Sequence, residues 1–449
     1  MPLADLITPR LGRRALCALT VALMTVSALA AEVRADDPRP PTCTRLVGVR
    51  LTRSGAPLVT IELRGERISA ISTGDDRGLS LPDDPACVTI DGAGALATPG
   101  FIDPLSRVGL VELDSEAHTH DHDNRHPLQP AESPVRAVVD TALAWNARSV
   151  LLPVTRLEGV TTVIAAPGGG VLSGYGVAAD LLVGPRADVL IARRVAHFGT
   201  IGPRHESRAG GLFVLARALE EARRWPTVKA AFEKNAHAGL ITPWLDLEAL
   251  QPVVRGEVPL VVTVNRASDI EALLEVVATP TFATPNIAAP MGAAAGIPLV
   301  LNGAAEAWML APELARRRVA VILDPLLYGP GGFDELHARP DAAAVLAAAG
   351  VRVMFAQGDP HQSRKLRQLA GNAVREGMSW EAALAALTTT PAEVFALAGH
   401  GRLAVGAIAT VALWDGDPLE VLTSLRWLAI RGRPIARQSR QTELYERHR

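Results

Sequence analysis

The sequence predicts an α/β protein built around a parallel sheet, and three observations carry that prediction. Between residues 98 and 400, apolar strand-like runs alternate with Ala- and Leu-rich helical runs. The strand-like runs are apolar on both faces, as in sheets covered by helices on each side. Both chain ends are instead rich in short strands separated by Gly, Ser and Asp turns. The alternation alone leaves a closed barrel and a doubly wound sheet open.

Taken in order, residues 1–35 stand apart from the fold. Arg10, Arg13 and Arg14 precede an apolar run from Ala15 to Ala30, with small residues at Ala28, Ala30 and Ala31. This is the pattern of a secretory signal peptide cleaved after Ala30 or Ala35. The other reading is an N-terminal anchor, but the run is too short to span a bilayer comfortably, and no second apolar segment of spanning length follows. The protein is therefore expected to be exported, periplasmic or secreted, with no membrane span after cleavage. Cleavage after Ala35 removes four basic and two acidic residues and takes the formal net charge from −2 to −4. So mild a charge gives no footprint for nucleic acid or for an anionic membrane. Cys43 and Cys87 remain in the mature chain, either as the disulfide an oxidising compartment permits or as two buried thiols.

Val47–Leu51, Leu58–Leu63 and Arg67–Ile71 read as strands, as do Ala409–Trp414 and Leu425–Arg431 near the other end. In the middle, the strands Val160–Ala165, Pro259–Val264, Ile297–Leu301, Val319–Leu323 and Val351–Ala356 alternate with helical patterns. Those patterns cover Ala267–Val277, Ala304–Arg317 and Asp341–Ala349. Thr390-Pro-Ala-Glu393 has the form of a capping box with Pro at the first helical position, predicting a helix start there. Pro167-Gly-Gly-Gly170 lacks a following Gly-Lys-Ser/Thr and is expected to be a tight loop rather than a phosphate cradle.

A series of motifs then appears in order: Thr98-Pro-Gly-Phe-Ile-Asp103, Gly159-Val-Thr-Thr162, Val264–Ile270, Gly358-Asp359, Thr389-Thr-Pro-Ala392, Asp415–Leu419 and Ile430–Ile435. Across nearly the whole mature chain they resemble the amidohydrolase superfamily, in particular its exported imidazolonepropionase-like members. In those the first barrel strand often continues as Gly-Leu-Val-Glu, found here at Gly109–Glu112. The resemblance implies a (β/α)8 TIM-type barrel over 98–400 and a small β-sandwich formed by both chain ends, 36–97 and 401–449. It implies hydrolysis of non-peptide carbon–nitrogen bonds, such as those of cyclic amides, with a divalent metal such as zinc. That metal takes two His from strand 1, one His each from strands 5 and 6, and an Asp from strand 8, with a carboxylated Lys or Glu from strand 4 bridging in binuclear members. The metal lowers the pKa of bound water to about 7 and the Asp takes its proton.

Here the strand-1 positions are Leu105 and Arg107. Leu has no lone pair to offer, and Arg is a permanent cation. The strand-5 position falls on Thr263 or Asn265 and the strand-6 position on Asn302, while Asp359 survives on strand 8. The three lysines, Lys229, Lys234 and Lys365, lie in charged helix-like stretches, which speaks against a carboxylated-Lys bridge. Three good protein ligands are the usual minimum for zinc, so no metal is expected at Leu105, Arg107, Thr263 and Asn302. Asp359 has three readings: a catalytic carboxylate, a cap for the following helix, or the ion-pair partner of Arg107. Asp103, Asn265 and His361 are expected to line the pocket, with Glu306 and Arg266 near the mouth and His197 a weaker candidate.

His118-Thr-His-Asp-His122, with His126, is either a solvated loop or a relocated metal site. His337 and His400 have no partner evident from sequence. Two functions follow from the resemblance and its departures. The first is a non-catalytic homologue that binds a small molecule or a partner protein. The second is an active metal-dependent hydrolase using Asp359 with the His118–His126 loop.

Overall fold

The computed structural model describes residues 41–53, 57–73, 84–122, 133–202, 207–236, 239–278, 296–326 and 329–449. The expected signal peptide and His126 lie outside the described residues.

The chain opens with β1 (Cys43–Val49), β2 (Val59–Arg64), β3 (Arg67–Thr73) and β4 (Cys87–Asp91), which form one sheet in the order β3-β2-β1-β4. β5 (Leu96–Pro99) turns away from these and pairs antiparallel with β14 (Val411–Trp414), which continues to β15 (Leu425–Ile430) and β16 (Arg433–Pro434). Leu46, Ile61 and Ile68 from the first sheet share an apolar core with Ala97, Val411 and Leu413 from the second. Both chain ends therefore build one two-sheet unit. Cys43 and Cys87 face each other in the parallel β1–β4 register and are joined by a disulfide, their Cα atoms 4.4 Å apart. Of the two cysteine states the sequence left open, this is the bridged one.

Gly100 separates β5 from the first barrel strand, and only a residue without a side chain fits there. A Cβ on Gly100 would lie 2.2 Å from Thr161 Oγ1. The barrel follows as β6 (Phe101–Ser106), β7 (Val160–Ala165), β8 (Leu172–Asp180), β9 (Leu190–Thr200), β10 (Leu260–Val264), β11 (Leu299–Gly303), β12 (Ala320–Leu323) and β13 (Arg352–Phe355). These eight strands make one sheet in chain order whose edges β6 and β13 come together, and beyond β13 Ser363 Oγ lies 3.1 Å from Ser106 Oγ at the end of β6. The interior carries Ile102, Ile164, Phe198, Val261, Val300, Ile322 and Met354. The alternate residues face the surrounding helices, among them Arg208–Glu233, Ala267–Ala278 and Leu366–Arg375.

Two local expectations change. β8 runs antiparallel to both neighbours, because the short Pro167–Gly170 loop joins it directly to β7 and a parallel return needs a crossover of a dozen residues or more. The capping box at Thr390 does not form. The helix Thr389–Val394 starts two residues earlier, with Thr388 at the cap position and no side-chain cap. It follows almost directly on the helix Trp380–Leu387, and the Thr388 hydroxyl donates back to Leu384 O at 2.8 Å. No extended residue remains at 390 to act as a cap.

Candidate functional site at the barrel rim

Strand alternation decides which side chains reach the mouth. On β10 to β12, Val261, Val300 and Ile322 point inward, so the residues two further on, Thr263, Asn302 and Asp324, do the same at the C-terminal ends. In TIM barrels this end carries the chemistry. Thr263 and Asn302 are register partners, and Asn302 Nδ2 donates to Thr263 Oγ1 at 2.9 Å. Leu105 packs against the interior apolar cluster. Asp324 is half-buried. Its Oδ1 accepts from Leu326 N at 2.9 Å and its Oδ2 from Gln357 Nε2 at 3.3 Å. Burial pushes this carboxyl above the ordinary aspartate range, and the two hydrogen bonds recover part of the shift. On the neighbouring strand end, Asp359 Oδ1 accepts from His361 N at 2.8 Å, which locks the carboxylate into its own turn.

A segment following β12, residues 329–341, is tied across this rim. Arg208, at the start of the helix Arg208–Glu233, bonds Asp269 at 2.9 Å and also Asp334. Asn265 Nδ2 donates to Glu335 Oε1 at 3.0 Å. His337 Nδ1 lies 2.8 Å from Glu306 Oε1, and Trp308 Nε1 donates to His337 O at 2.9 Å. The Arg339 guanidinium sits 4.6 Å above the Trp308 ring. Glu306 is buried. Burial raises its pKa, but the Ala267 N–H and His337 outweigh it, so the carboxyl is held below its ordinary range. Under this strap, the space bounded by Gly303, Leu323, Asp324 and Arg339 is only about 20 Å3.

The remaining predicted residues are dispersed. Asp103 is 2% exposed and accepts from Leu105 N at 3.1 Å. Burial pushes its carboxyl up to about 6 despite bonds from Ser363 and Ser106. His118 is exposed, 3.4 Å from Glu116. His120 Nε2 contacts Leu113 O at 3.1 Å. His122 is buried, its ring 5.5 Å from that of His120, and its carbonyl accepts from Gly168 N at 2.7 Å. The tract therefore rests on the β7–β8 loop. Among the described residues, three ligand-bearing side chains converge within 4.8 Å only at Cys43, Asp84 and Cys87, where the sulfurs are bonded to each other. His197 is fully buried on the outer face of β9, with Nε2 3.3 Å from Ala137 O and Tyr175 packed edge-on at 5.0 Å. Burial drives its pKa down to about 4.

Asp324, Gln357 and His337 are rim residues that the sequence reading did not single out. Asp324 carried a usable signal, since it directly follows the apolar strand Ala320–Leu323. His337 carried none, because a loop folding back sets its position.

No protein-family model and no curated protein matches the sequence. Solved structures do match. An amidohydrolase from Thermotoga maritima superposes with a TM-score of 0.74 at 19% identity, covering 88% of this chain and 100% of that one. A 5-methylcytosine deaminase from Klebsiella pneumoniae liganded with phosphonocytosine gives 0.52 at 15% identity over 88% and 98%. Another amidohydrolase gives 0.50 at 15% identity over 88% and 100%. At these identities the likeness is one of fold, and the chain has the amidohydrolase fold.

Proposed function

We propose that this chain is an exported homologue of the amidohydrolases that keeps their barrel and has given up metal-dependent hydrolysis for binding. One observation carries the reading: Asn302 and Thr263, at the strand-6 and strand-5 ligand positions, are hydrogen-bonded to each other. The surrounding donors do not fit a divalent metal. Leu105 lies in the apolar interior, and Asp359 has an oxygen engaged by a backbone N–H. Asp324 adds a second carboxyl, but both of its oxygens are already engaged, one by Leu326 N and the other by Gln357 Nε2. A neutral amide, a hydroxyl and one available carboxylate compete weakly with water for zinc. The Cys43–Cys87 disulfide supports export, since such bridges persist in oxidising compartments.

The test is hydrolysis of a panel of cyclic amides by the mature protein in zinc-supplemented buffer. Turnover at the buffer background is expected. Turnover that disappears in Asp359→Asn would overturn the proposal and restore an active hydrolase.

A further inference from the structure

The opposite end of the barrel holds a larger space. A cavity of about 240 Å3 opens at the floor, where the helix Thr389–Val394 leads into the turn toward the terminal sheets. It is roughly the volume that about eight water molecules occupy in the liquid. Ala392 and Leu397 form its apolar wall and also belong to the barrel's interior cluster. His400 forms a second wall. Its Nε2 lies 3.4 Å from the Asp180 carboxylate and its Nδ1 3.3 Å from Ala398 O. Asp180 is itself 1% exposed and accepts from Thr162 Oγ1 at 2.8 Å, so the imidazole is fixed. The backbone is bent to make the hollow: Ala396, a lining residue, holds φ at +52°. A non-glycine residue seldom adopts that conformation without a local reason.

Two charges of opposite sign line this hollow, Glu393 and Arg402. Among the described residues neither side chain has an ion-pair or hydrogen-bond partner, and they do not neutralise each other. A carboxylate and a guanidinium that line one cavity with an aliphatic wall, without pairing to each other, match a molecule carrying both complementary charges. We propose that the floor cavity binds a small free α-amino acid with an aliphatic side chain. Arg402 takes its carboxylate, Glu393 its ammonium group, and Ala392 with Leu397 its side chain. The inference stands apart from the reading of the rim, and either holds if the other fails.

Calorimetric titration of the full mature chain with L-alanine, L-valine and L-leucine tests it, beside their N-acetyl and amide derivatives. Saturable binding of a free amino acid is expected. Each derivative lacks one charge and should bind about tenfold more weakly or worse, as should free amino acid to Arg402→Ala and Glu393→Ala. Both positions are exposed, so the variants should melt with the parent when no ligand is present. No binding at millimolar amino acid would overturn the proposal. Binding undiminished in both variants would overturn it equally, by putting the ligand elsewhere.

Discussion

At the rim of the barrel most polar side chains bond one another, Asn302 to Thr263, Gln357 to Asp324, His337 to Glu306 and Asn265 to Glu335, leaving only single buried oxygens such as Asn265 Oδ1 and Gln357 Oε1 without a partner among the described residues. At the floor, Glu393 and Arg402 line one cavity with no partner among the described residues. The rim carries a largely paired polar network, with about 20 Å3 beside Asp324 under the strap, whereas the floor carries unpaired charge at about 240 Å3. Hydrogen bonds that satisfy each other inside the protein leave little for a ligand, whereas unpaired charge at a cavity is available to one. The fold class would direct attention to the rim, but function belongs to the site rather than the fold.

The largest expected effect breaks the floor. Trp414 stacks on Phe101 at 5.4 Å and donates Nε1 to Thr98 Oγ1 at 2.9 Å, tying the terminal sheet to the start of the first barrel strand. Trp414→Ala should lower unfolding stability by about 3–5 kcal/mol in denaturant titration. The next effect is one of pH. Asp103 has its pKa raised to about 6 from an ordinary 3.8, so its contribution is full below pH 3.8 and is lost as pH rises through 6. His197 is lowered to about 4 from 6.5, so its contribution is present above pH 6.5 and lost as pH falls through 4. Between pH 4 and 6 the two slopes oppose each other, and the sum over this pair should be nearly flat.

Asp103→Asn should therefore stabilise the protein by about 3 kcal/mol at pH 8, with the gain vanishing towards pH 4. It should also unmask acid loss, and His197→Gln should unmask the reverse slope. Stability measured across pH for the three proteins checks this; three parallel curves would refute it. The smallest effect lies at the rim. Asn302→Ala should cost about 1 kcal/mol, well below the floor substitution. His337→Ala should speed amide hydrogen exchange in residues 329–339 without moving the global midpoint by more than the error, because it loosens a strap and not a core.

Much of the fold was legible because apolar strands announce themselves. β7, β10 and β12 fall where runs of β-branched residues are flanked by helical patterns. β8 and β9 did not show. Leu172–Asp180 is broken by Gly174 and Gly176, and Gly176 is required by the Phe198 ring, 2.4 Å from where its Cβ would stand. That requirement comes from a neighbouring strand and leaves no local pattern. The rim positions Leu105, Thr263, Asn302 and Asp359 could be found by counting from strand ends. Their partners could not: the Glu306–His337 contact joins residues 31 apart through a loop, and His400 meets Asp180 across 220 positions. Residue spacing carries alternation along a strand, but it does not carry which loop folds back over which strand end.

The metal content of the purified mature protein, measured by elemental mass spectrometry after mild chelation, tests the account of the rim most directly. Zinc, iron, manganese and nickel all far below one atom per chain, in protein that is folded and melts cooperatively, is the predicted result. About one atom per chain, retained through chelation and lost in Asp359→Ala, would contradict it.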